Sequence, residues 1–152
     1  MKNVFRIVVM FLVGFCTYIT IEVLYRGYSF PMMGVMSGII FILIDHINNH
    51  YGWNMELCKQ CLIGGVYATL AELIFGLIDK CYLHWNMWDY SNEFLNFYGV
   101  ICPKFSLYWC ALALIAILVA DFVNYCIYRS SQRPYYIIFG HKWEPGIYNI
   151  LD

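Results

Sequence analysis

Glu72 is a carboxylate set inside an apolar run. An ionisable group in such a run costs a few kcal/mol or more in lipid, so it faces a bundle interior, a cavity or a partner. Downstream come Trp88-Asp89-Tyr90-Ser91, then Asn96, Gly99 and Ile101-Cys102, in a stretch otherwise rich in aromatic rings. Upstream, Glu22 and Arg26 sit one helical turn apart at the end of another apolar run. Two readings follow. In the first, Glu22, Arg26, Glu72, Trp88, Asp89, Tyr90, Ser91 and Asn96 form a polar ligand site, and Glu72 with Asp89 could even act as acid and base on a lipid or isoprenoid. In the second they are a clasp. Glu72 then pairs with Arg26 or a loop amide and pins the loop to the helices, while Asp89 and Ser91 supply turn and cap chemistry. Asp79, nearly two turns beyond Glu72, projects from a similar helical face.

The other reactive residue types point less far. Cys58-Lys59-Gln60-Cys61 has the spacing of a dithiol, and Cys81 and Cys102 bracket the aromatic stretch. The two pairs fall in loops on opposite sides of a four-span bundle, which excludes thiol exchange between them. A disulfide joining Cys81 and Cys102 and a packing role for Cys58 and Cys61 remain open. His46 and His50 are one turn apart, a spacing used by metal-binding pairs, but they belong to an ordinary polar helix end, and no metal or cofactor is assigned. Phosphate-loop, Ser-His-Asp and nucleophile-elbow patterns are absent, so the sequence encodes no ATPase of its own.

The elements that position these residues follow from composition. Only 12% of the 152 residues are charged, and the mean hydropathy is +0.61, whereas about a quarter of a soluble protein is charged. The net charge of -1 offers no basic face for nucleic acid. The natural partner is the lipid bilayer. Four apolar segments approach the ~20 residues that a crossing helix requires, at about 4–24, 31–47, 57–78 and 105–128. Lys2 and Arg6 ahead of the first resemble a secretory leader, but no small-residue cleavage site follows, so the segment is read as an uncleaved span. The second span is the shortest.

The fold expected is all-α: a polytopic membrane protein built as a four-transmembrane-helix bundle, with an interfacial or re-entrant loop between helices 3 and 4. Residues 1–128 form the membrane domain and 129–152 a cytoplasmic tail. Gly34 and Gly38 on the second span, and Gly64, Ala68, Glu72 and Gly76 on the third, form small-residue stripes that let helix backbones approach closely. Lys2, Arg6, Lys59, Arg129, Arg133 and Lys142 fall on one side, and Arg26, Lys80 and Lys104 on the other. The excess places both termini in the cytoplasm and the loop after the third span outside. Arg129, Ser130, Ser131, Gln132, Arg133 and Pro134 end the last span, and residues 135–139 read as a short strand or an interfacial segment.

Leu24-Tyr25-Arg26-Gly27-Tyr28, Glu72, Trp88-Asp89-Tyr90-Ser91, Asn96, Gly99 and Ile101-Cys102 together resemble the small bacterial membrane family labelled ABC-transporter permease, CmpB type. The similarity runs from about Glu22 into the fourth helix. It departs at two positions, with Phe94 where a proline is expected and Val100 where a polar residue usually follows the glycine. The resemblance implies a transport-related protein of the bacterial cytoplasmic membrane that oligomerises, with a homo-oligomer as one form, and borrows a separate ATPase subunit. The functional expectation is a non-enzymatic permease-like subunit or accessory. A membrane enzyme and a structural or pore-forming assembly stand as alternatives.

Overall fold

The computed structural model describes residues 2–128 and 133–151. Four helices account for most of the chain: α1 (Lys2–Arg26), α2 (Pro31–Tyr51), α3 (Leu57–Ile78) and α4 (Pro103–Tyr128). A single π-helical turn, Asp79–Leu83, extends α3. After α4 come a two-stranded antiparallel hairpin, β1 (Tyr136–Ile138) and β2 (His141–Trp143), and one turn of helix, α5 (Tyr148–Leu151). Arg129, Ser130, Ser131 and Gln132, expected to end the last span, lie outside the described residues, as does the side chain of Lys2.

Three stretches, Val4–Arg26, Leu57–Leu83 and Pro103–Ile127, are long and apolar enough to cross a membrane, and the apolar part of α2, Pro31–Ile47, is shorter. A backbone in lipid must satisfy its polar groups within its own segment, which selects helices. The chain is an all-α membrane protein with a small terminal hairpin. Glycine and proline set the helix ends. Gly27, at φ 82°, donates to the Val23 carbonyl and stops α1, and Pro31 opens α2 where a missing N–H costs nothing.

The expected small-residue faces are the seams of the bundle. Gly34 receives the Phe15 ring and Gly38 the Phe11 ring; a Cβ on either would come within 2.6 Å of that ring. Gly14 faces Phe41 in return, and the Ser37 hydroxyl donates to the Gly14 carbonyl at 3.1 Å, so α1 and α2 pack nearly backbone to backbone. Across the second pair, Gly64 faces Ala113 and Gly65 faces Cys110.

These contacts also show that α3 and α4 are antiparallel but out of step. Gly76, inside α3, already meets Val100, which precedes the start of α4 at Pro103. The last turns of α3 therefore rise past α4, and residues 84–102 fold back alongside them. We call this the loop end. At the opposite, tail end the deficit is reversed, because α4 runs on beyond Leu57, where α3 begins. The space is filled by the α2–α3 connection and the terminal hairpin. Ile137 bridges to Glu56, the Tyr135 hydroxyl donates to Asn54 at 2.9 Å, and Tyr136, 0% exposed, donates to Asp121 at 3.0 Å. Residues 135–139 thus do contain a strand, and its first residue belongs to the main core.

A second polar tie crosses the tail end. Arg6 on α1 grips Asp45 on α2 through Nε to Oδ2 at 3.0 Å and Nη2 to Oδ1 at 2.8 Å, and Asn124 on α4 donates to the same carboxylate. Such a two-point guanidinium–carboxylate pair is strong and geometrically specific. Removing one member of a buried pair strands the other, here at about 2–3 kcal/mol because Arg6 keeps some solvent contact. Asp45→Ala and Arg6→Ala should each cost that much in detergent unfolding, and the double variant clearly less than their sum. Additive losses would show that the pair contributes no coupling.

Candidate functional site at the loop end

Residues 84–102 are not a loose connection. Asp79, 3% exposed, sits where α3 gives way to the π turn and takes the N–H of Trp85 on Oδ1 at 2.8 Å and that of Met87 on Oδ2 at 2.9 Å. It organises the descent of the chain through two left-handed residues, His84 and Asn86. The Trp88 indole then donates to the Val100 carbonyl at 2.9 Å, and the Tyr90 N–H donates to the Gly99 carbonyl at 2.8 Å, so the two limbs of the loop are tied together.

The rest of the motif closes the turn between those limbs. Asp89 Oδ1 accepts from the Ser91 N–H at 3.0 Å and from its hydroxyl at 2.5 Å. These two bonds hold the exposed Asp89 carboxyl below the usual carboxylate range. Asn96 donates to the carbonyls of Ser91 and Glu93 and accepts from the Gly99 N–H at 3.0 Å. Gly99 has φ 64°, and a side chain there would come within 2.8 Å of Asp89 Oδ1, so both the backbone region and the close approach require glycine. Lys80 donates to the Tyr98 carbonyl, and Lys104 pairs with Glu93 at 2.8 Å.

Tyr90 carries the loop to the bundle. Its ring stacks on Phe105 with centroids 4.2 Å apart, and its hydroxyl donates to Glu72 Oε1 at 2.8 Å. Burial first, and then the Glu72 carboxyl, hold the Tyr90 phenol far above its ordinary range, which keeps it a donor. Glu72 is 2% exposed. The Trp109 indole lies beside it, although Glu72 Oε2 and Trp109 Nε1 are buried without a well-formed bond.

The structure also places Glu22 and Arg26 at this end, but not on Glu72. Arg26 pairs with Glu22 at 2.6 Å, and Glu22 also accepts from the Ser29 hydroxyl, with the Tyr18 phenol beside it. The guanidinium donates to the Met87 carbonyl at 3.4 Å and lies over the Tyr28 ring, while Phe30 stacks on Trp85. The expected pairing of Glu72 with Arg26 is thus replaced by Glu72 with Tyr90 and Arg26 with Glu22. Both groups still fasten the loop, one from α3 and the other from α1.

Glu72 and Asp89 do not form one constellation. Glu72 is buried against Tyr90, whereas Asp89 is exposed and engaged with Ser91. Cys81 is exposed, Cys102 is buried, and both are free thiols. Tyr18 and Trp109 are members of the cluster that pattern reading did not single out, and Asp79, placed on the Glu72 face, was not read as the acceptor for the loop amides. For Asp79 the available signal was an acidic residue at a helix end just before a segment with many amides to satisfy.

No curated protein and no solved structure matches the chain. The family model described as Putative ABC-transporter type IV matches residues 11–141, from within α1 through the whole loop to the start of β2. The match takes in every residue of the loop clasp, the greater part of α1 and all of α2, α3 and α4, and the chain belongs to this family of transporter-like membrane proteins.

Proposed function

We propose that the chain is the membrane subunit of a transporter driven by a separate ATPase, and that its loop of residues 84–102 closes one end of the bundle through a latch between Tyr90 and Glu72. The observation that carries this reading is the bond from the Tyr90 hydroxyl to the buried Glu72 carboxyl, made by a loop whose other polar groups are largely satisfied within itself. Such a loop can move as one piece about its anchorage on Asp79 once the Tyr90–Glu72 bond and the Arg26–Met87 bond are released. Glu22, Arg26, Glu72, Trp88, Asp89, Tyr90, Ser91 and Asn96 act in it as fasteners. The family match and the lack of a phosphate-binding loop in the sequence support a borrowed ATPase.

In this reading all four helices cross the bacterial cytoplasmic membrane, α2 being the shortest. Residues 1–128 are the membrane domain, and both termini, with the tail of 129–152, are cytoplasmic. The loop re-enters the outer surface of the bilayer. Its exposed Trp85, Phe94, Phe97 and Tyr98, with Tyr82 on the π turn, suit the headgroup layer, where amphipathic rings settle. A single four-helix bundle would supply part of a translocation path, and a second copy would complete it.

The latch also fits a purely structural assembly, because a satisfied polar network specifies packing without binding anything. An acid–base enzyme fits less well, since Glu72 and Asp89 face different surroundings. Three measurements separate these readings. Purification from native membranes in mild detergent should bring an ATPase down with the chain, and a homo-oligomer free of any ATPase would exclude the transporter reading. Tyr90→Phe should cost about 1–3 kcal/mol in unfolding by leaving the buried Glu72 oxygen without its donor, and it should alter ATPase stimulation or uptake. Loss of stability with unchanged transport would support the structural role. Finally, a cysteine introduced at Phe94 in a cysteine-free background should react with an impermeant maleimide from outside the cell. Labelling only after lysis would reverse the orientation.

A further inference from the structure

At the tail end, Leu118, Val119 and Phe122 of α4 form one wall of an open groove of about 270 Å³, and Trp143, Ile147 and Tyr148 form the other. The α4 wall belongs to the membrane-spanning stretch Pro103–Ile127. Ile115, more than half exposed one turn before Val119, continues the same flank, so the groove opens onto surface that the helix gives to lipid. The polar side-chain groups in the walls are the Tyr148 phenol and the Trp143 indole N–H; burial and then the nearby Asp121 charge push the phenol up to about 12. The half-exposed indole of Trp143 stands at the rim, the kind of ring that settles where hydrocarbon meets headgroups.

We propose that this groove binds an acyl chain of a membrane phospholipid, and that residues 141–148 therefore lie against the bilayer surface. The groove runs on from the lipid-exposed flank of α4 at Ile115 and Val119, and its lining holds no charged side chain, which favours a hydrocarbon chain as the occupant. The site rests on the membrane-spanning character of α4 alone and is independent of the proposed latch and ATPase.

The test uses the full chain in phosphatidylcholine vesicles doped with a phosphatidylcholine that carries a diazirine midway along one acyl chain. Adducts are located by mass spectrometry after illumination. Labelling on Val119, Phe122 and Ile147 should exceed labelling on the exposed α3 stripe of Leu62, Val66 and Leu70 by at least about fivefold. Val119→Trp and, separately, Ile147→Trp fill the groove and should cut its labelling at least about threefold while leaving the α3 stripe unchanged. Groove labelling no higher than the stripe would overturn the proposal. So would labelling that neither filling variant reduces.

Discussion

Antiparallel helices that end at the same level need only a short turn between them, but α3 and α4 end at different levels, and the rest of the structure answers that mismatch. Gly76 meets Val100 before α4 has begun, and α4 continues past the start of α3. A gap beside a helix in lipid cannot be filled by irregular backbone unless its N–H and C=O groups are satisfied. At the loop end Asp79, Asn96 and the cross-limb bonds of Trp88 and Tyr90 meet that requirement. At the tail end the hairpin meets it by pairing β1 with β2 and bridging Ile137 to Glu56.

Each filling is secured to the helices by a tyrosine hydroxyl on a buried carboxyl: Tyr90 on Glu72 at one end and Tyr136 on Asp121 at the other. Tyrosine suits the task because its ring supplies apolar packing and its hydroxyl one directed bond. The cationic side chains serve elsewhere, Arg26 on Glu22 and Arg6 on Asp45, nearer the helix ends where their stems can reach polar surroundings. The bundle thus has apolar, glycine-lined seams at mid-height and a polar tie at each end. In the proposed function the ends are the parts that open, and the glycine-lined middle stays rigid.

The helices were legible because lipid imposes a simple pattern: long apolar runs, with glycine at the close seams. Gly34, Gly38 and Gly64 stand where the small-residue stripes put them. Glu72 was legible as a cost that the chain must offset. Its partner was not, because Tyr90 is eighteen positions away and reaches it only through the axial offset of α3 and α4, which no local period encodes. Asp79 shows the same limit. Helical spacing put it on the face of Glu72, while in the fold it serves the amides of the following loop. The tail strand was visible in Tyr135 to Phe139, but its burial was not, since that depends on α4 outrunning α3.

The central claim is that residues 84–102 are a fixed, folded-back part of the bundle and not a flexible connection. Amide hydrogen exchange of the full chain in lipid nanodiscs tests it most directly. The account predicts slow exchange at Met87, Tyr90 and Val100, whose N–H groups bond to Asp79, Gly99 and Phe97, on the time scale of the helix ends. Exchange of all three at the rate of an unstructured peptide would contradict it.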